Sequence, residues 1–515
     1  MKRDEREALW TALDALVRRH RTFADTDWAL PAEEIDQLAG IAGRLKPTDA
    51  VEAHRWLFDT HLPDLGTERG AAPERMQDVA NARIVAIRQV LASGGVDDAL
   101  RLGRSVTLPG FVGVAMAEAG NEQLDERLVD LLDDEDQHLA SLAYAYSVQR
   151  EKSAGWPWIK DRLNALSQRP RAQARLLQVS EDLPEAWHIA EELGPEVERL
   201  YWSDFSVMGR GPDFPFVNET AARLLKHGRV GAAIDLMSLY SSEGGDSLAA
   251  PELIAQALEG LVDSSAEADE LQRLSSYELN VLLERLRETS FDEKRLGLLE
   301  WRLLPARGFE ARSPVLHRRL ARDPAFFVDI LSLLYRPHEG ADSEADATPE
   351  HVARNAWHLL NEWKIVPGSS DQMAPVDEDE LMDWITRTRE LLAEVDRREI
   401  GDIHIGHVFA HARGDDDQTW PTRPVRNSIE RIASAEIEDG MLTQTYNNRG
   451  VTSRNPAAGG EPERKLATRY RELAALIRDE WPRTGAVLSS LAEGYEREAL
   501  MHDEDAERIR QGLDE

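Results

Sequence analysis

Helix-length segments follow one another along this chain, and no run of alternating apolar and polar residues separates them. The pattern is present from the start: Leu9, Leu13 and Leu16 recur at i, i+4 and i+7, one face of a helix. Further helix-sized segments are predicted at about 32–45, 48–60, 73–93, 95–105, 124–132, 136–151 and 157–167, punctuated by Gly, Pro, Asp and Ser. Asp134–Glu135–Asp136 and Asp377–Glu378–Asp379–Glu380 read as acidic first turns, favourable to the helix dipole. Val and Ile are scattered among Leu, Ala, Glu and Arg, which favour helix. Two long helices are expected at the C-terminus, at about 462–480 and 484–510. Trp481–Pro482 parts them, because proline has no N–H to donate. Leu488, Leu491, Tyr495 and Ala499 form one apolar stripe on the last, whose final turns are expected to fray. A chain that starts inside a helix is expected to have no leading domain.

An internal echo suggests how these helices are arranged. Residues 91–102 read LASGGVDDALRL and residues 225–236 read LKHGRVGAAIDL, so Gly94, Val96, Ala99 and Leu102 match Gly228, Val230, Ala233 and Leu236. Each Gly would end one helix, and each Ala would let the next pack closely, as in helix–turn–helix repeats. The predicted fold is all-α: a degenerate helical-repeat array (an α-solenoid of HEAT or TPR type) with a C-terminal helical cap. Its expected parts are N-terminal repeats over 1–204, middle repeats over 205–336, an acidic linker over 337–349 and a C-terminal helical domain over 350–515. The loop 205–216 (FSVMGRGPDFPF) is expected to be ordered by its aromatics, and 337–349 (PHEGADSEADATP), with no apolar anchor, to be mobile.

Composition narrows the function. A hydrophobic fraction of 42% suffices for a large core. With no cysteine there is no disulfide framework, thiolate metal site, iron–sulfur cluster or cysteine nucleophile. No secretory signal pattern opens the chain, and the most apolar short run, Phe111 to Ala117, is far below the ~20 residues that span a bilayer. A cytoplasmic protein without membrane association is expected. The net charge of −34 argues against general nucleic-acid binding, since phosphate attraction needs positive surface, although a local basic face stays open.

Four constellations could carry chemistry or binding. In GDIHIGHVFAHARG, His404, His407 and His411 lie at i, i+3 and i+7, within one sector of a helix. His407 and His411 have the i, i+4 spacing of a shared divalent metal, with Asp402 or one of Asp415 to Asp417 as a further ligand. Val408 stands where a zincin has glutamate. The same stripe equally suits hydrogen-bonded interface histidines or a pH-sensitive contact. Arg449, Arg454, Gly459 and Gly460 surround a glycine-rich turn ahead of a helix starting near Glu463, a pattern able to hold an anion or ligand, or to serve as an ordinary helix connection. Residues 148–175 concentrate Arg150, Lys152, Lys160, Arg162, Arg169, Arg171 and Arg175 around Trp156 and Trp158, and Arg312, Arg318, Arg319 and Arg322 form a smaller cluster. Both clusters suit a nucleic acid or an acidic protein partner, the protein being preferred, or simply solvated helix faces. Trp357 and Trp363, near His358, read as core packing. No GxSxG, P-loop or HExxH occurs.

The strings DIHIGHVFAH, TWPTRPVRNSIE, YNNRGVTSR with GGEPERKLATRY, and EWPRTGAVLSSLAEGYEREA, together with AHRWLFDTHLPDLG near residue 53, carry a resemblance. They are similar to the helical C-terminal region of large bacterial proteins, some of which place an NTPase or other effector module ahead of it in antiphage-defence settings. The resemblance implies a sensor or scaffold half without its effector, as no Walker motif is present. The expected function is a non-catalytic helical-repeat scaffold or sensor that binds another macromolecule, with a protein as partner and no cofactor. The alternative is a metal- or ligand-dependent enzyme with its site near His404, His407, His411 and the 447–462 loop.

Overall fold

The structure is a computed structural model. It describes residues 3–67, 71–120, 122–207, 214–241, 248–263, 276–306, 313–336, 348–450 and 459–510. The chain is all-α: within the described residues there are 24 α-helices and three short 3₁₀ turns, and no strand. None of the helices is long and apolar enough to cross a membrane. Two compact units divide the chain, residues 1–209 with 226–229, and residues 210–225 with 230–515.

The first unit is built from neighbours in sequence. Arg3–Thr22 packs on Ala32–Leu45, Pro109–Glu118 on Gln137–Ala165, and Pro170–Leu177 on Pro195–Asp204. Its long segment Ala72–Ser105 breaks at Gly94–Gly95, where Gly95 takes φ 67°, a value that costs glycine little and other residues more. The echoed copy behaves likewise. Gly228 takes φ 73° after Val217–Lys226 and before Val230–Ser241. Ala99 and Ala233 are fully buried, as are Leu102 and Leu236. Glycine ends a helix and a small residue admits close packing in both places.

In the second unit a hydrophobic core extends from Leu304 to Val487. At its centre Phe327, Trp363 and Trp384 pack with ring centroids 5.4–6.0 Å apart. Residues 337–347 of the expected linker lie outside the described residues. On either side of it, Pro324–Leu334 packs against Glu350–Asn361 and Glu378–Glu394, so this core continues past the stretch. Arg398–Phe409 and Ala435–Asn447 approach with almost no space between backbones: a Cβ on Gly406 would lie 2.2 Å from the Ile437 carbonyl oxygen. The C-terminal pair is Glu461–Ile477 and Pro482–Arg510, and the stripe Leu488, Leu491, Tyr495 and Ala499 is buried.

Candidate functional site

Four helices of the second unit enclose an open groove of about 940 Å³. Glu293–Leu303 gives it Lys294, Gly297, Leu298 and Trp301, spaced i, i+3, i+4, i+7 along one helix face. Pro314–Arg322 gives Val315, Leu316, Arg318, Arg319 and Arg322, and Pro324–Leu334 gives Phe326, Ile330 and Leu333 at i, i+4, i+7. Val352 of Glu350–Asn361 completes the lining. Leu298 is 55% exposed, and the half-buried Trp301, Phe326 and Leu333 line the same groove. Along the rim, Lys294, Arg318, Arg319 and Arg322 face a single lining carboxylate, Glu293. Lys294 and Arg322 make no ion pair among the described residues, and Arg318 stands 3.9 Å from Glu293. Arg319 reaches Asp323 at 3.4 Å while its guanidinium lies 4.2 Å over the Phe326 ring. Such exposed pairs are weak, so the cations stay available to a partner.

A buried carboxylate holds the arginine helix in place. Glu300, fully buried, accepts from Arg287 Nε and Nη2 at 3.0 and 2.8 Å. Its other oxygen accepts the backbone N–H groups of Val315 and Leu316 at 3.1 and 3.2 Å, which caps the start of Pro314–Arg322. The Asn355 side-chain amide donates to the Trp301 carbonyl at 3.1 Å, and Trp384 Nε1 donates to the Leu320 carbonyl at 3.1 Å. The walls are thereby tied to the core through backbone groups.

The histidine stripe does not assemble a three-ligand site. The helix Arg398–Phe409 ends before His411, so the seven-residue span is not one continuous helical face. His404 and His407 meet edge to face at 5.0 Å, and His404 Nε2 is 3.0 Å from the Tyr335 hydroxyl. Asp402 takes both guanidinium donors of Arg389 at 3.0 Å and the Ser434 hydroxyl at 2.8 Å. Asp415 is engaged by Arg426, the Thr422 hydroxyl and the Arg423 N–H, and Asp417 by Thr419. Of the carboxylates expected to join the histidines, Asp402, Asp415 and Asp417 are thus held by other groups, and Asp416 is exposed. Burial, with His407 nearby, brings His404 down to about 3, and burial, with Lys364 nearby, brings His411 down to about 4. These are neutral interface histidines at pH 7.

The anion cradle is filled from within. Arg449 pairs with Glu463 and with Glu498, and the Gly460 N–H donates to Asp503 at 2.9 Å. Arg464 also pairs with Asp503. Gly459, at φ 69°, faces the same carboxylate. Arg454 lies outside the described residues. Among the described residues, the one triad with metal-ligand spacing is Glu463, Glu498 and His502, and Arg449 already bridges its two carboxylates.

The larger basic cluster is mostly an internal device. Asp125 receives the Tyr146 hydroxyl at 2.6 Å, Trp158 Nε1 at 2.9 Å and a forked pair from Arg150. Arg162 pairs with Asp161 and lies 3.8 Å from Glu126. Arg169 holds Asp130 and Asp133, and Arg175 donates to the Leu132 carbonyl at 2.7 Å. Arg162, Arg169 and Arg175 therefore bind this chain's own residues. Arg171 is exposed. Of the predicted partner residues, Arg318 and Arg319 line the groove. Arg312 lies outside the described residues.

Sequence reasoning missed Leu298, Trp301, Phe326 and Leu333, and missed Glu300. A signal existed: Glu293–Leu303 has a buried stripe, Leu296, Leu299 and Leu303, and a second apolar pair, Leu298 and Trp301, off that stripe. Comparison of the chain with protein-family models, with curated proteins and with solved structures finds no match.

Proposed function

We propose that this chain is a non-catalytic helical scaffold or sensor that binds another macromolecule, and that it does so through the groove between Glu293–Leu303, Pro314–Arg322 and Pro324–Leu334. The supporting observation is an apolar floor open to solvent beneath four cations, in a chain of net charge −34. Solvated faces of an acidic protein have no need to collect arginines around exposed Leu298. The mouth is wide, and its volume lies at the upper end of small-ligand pockets, which favours a macromolecular segment. The resemblance in the C-terminal third extends the proposal to a bacterial defence or signalling setting, in which the partner bears the effector.

The test is affinity capture of the tagged full-length chain from its native cells, beside Leu298→Asp, read by mass spectrometry. Leu298 is largely exposed, so the substitution is expected to leave the fold intact, which circular dichroism checks. A stoichiometric partner lost from the variant supports the reading. A partner held equally by both chains moves the interface off the groove.

A further inference from the structure

The groove is shaped for a short helix. Its walls present stripes of i, i+3 or i+4, and i+7, each about seven residues and so about 10 Å long at 1.5 Å per residue. That is two turns of helix, and an α-helix with its side chains is itself about 10 Å across. The floor offers Leu298, Trp301, Phe326 and Leu333 to apolar anchors one turn apart. The rim offers Lys294, Arg318, Arg319 and Arg322 against Glu293, inside a chain whose overall field repels anions. A basic or neutral helix would gain nothing from that rim. An acidic helix would meet cations where it lands and repulsion elsewhere, which confers site selectivity.

We infer that the groove takes an acidic amphipathic helix of about two turns from a partner protein, with apolar side chains at i, i+4 and i+7 on Leu298, Trp301, Phe326 and Leu333, and with Asp or Glu on its flanks against Arg318, Arg319, Arg322 and Lys294. The inference rests on the proposed binding role and adds the partner's chemistry. So short a segment buries little area, and its affinity belongs in the micromolar range, with marked salt dependence.

A display library of random 14-residue peptides, selected on the immobilised full chain and counter-selected on Leu298→Asp, tests it. The expected outcome is enrichment of peptides with apolar residues at i, i+4, i+7 and with acidic flanks. Synthesised, they gain helicity on binding and lose about tenfold in affinity on Arg319→Glu with Arg322→Glu, and again between 50 and 500 mM NaCl. Enrichment of basic or non-helical peptides, or no enrichment beyond the counter-selection, overturns it. So does a native mass spectrum in which an anionic amphiphile or a second copy of the chain is displaced by Leu298→Asp. Groove-dependent capture from cells that survives a failed selection means that the partner chemistry alone is refuted. Loss of both refutes the binding reading itself.

Discussion

Glu300 shows how much one side chain can decide here. Its two oxygens serve Arg287 on one side and two backbone N–H groups on the other, with no exposure to water. Glu300→Ala removes this acceptor, leaving Arg287 to Glu284 and two buried backbone N–H groups unsatisfied, a loss of about 2–4 kcal/mol. Glu300→Gln keeps an acceptor oxygen for the N–H groups and should cost less. Urea unfolding of the two variants checks the order; an alanine variant within about 1 kcal/mol of wild type would refute the capping role. None of this was legible in the sequence, because a glutamate in a helix reads as solvent-facing until its burial is known. Apolar faces were legible only in part. Leu9 and Leu16 are 43% and 38% exposed, while Trp10 and Val17 are buried, so the first helix turns a neighbouring face inward. Trp363 is core as expected, but Trp357 is 48% exposed.

Among the elements, Arg398–Phe409 and the turn that follows it carry the clearest consequence. His404 and His411 titrate at about 3 and about 4 in the fold, chiefly through burial. In the unfolded chain they titrate near 6.5. Between those values the unfolded chain binds protons that the folded chain does not. The stability is therefore fully present above pH 6.5 and is lost as pH falls toward 4, by at most about 1.4 kcal/mol per pH unit for each histidine. Urea midpoints at pH 7.0, 6.0 and 5.0 should fall in that order, and His404→Gln should flatten the fall; an unchanged slope in the variant would remove His404 from the account. Element positions were well read from sequence, since period, Gly and Pro are local signals. Ala32–Leu45 and the break before Pro482 stand where expected. The partners of charged side chains were not, because Asp125 and Arg150, or Arg449 and Glu498, meet only after the chain folds.

For the whole molecule, the net charge of −34 sets a background of self-repulsion. Salt screens it within a Debye length of about 10 Å at 0.1 M. It screens the many exposed ion pairs too, but those contribute little singly. The melting temperature at pH 7.5 is expected to rise by about 2 °C or more between 20 and 200 mM NaCl; a decrease would mean that the pairs outweigh the net charge. The all-α class was legible from the chain because every segment shares one period. The extent of each core was not, since composition marks where a chain is polar and not which helices meet across the gap. The C-terminal pair adds a last consequence. Asp503 is tethered beside Gly460 and Arg464, so its effective concentration there is millimolar or higher. The donors that a free anion would need at this helix start are thus engaged by a carboxylate from the same chain.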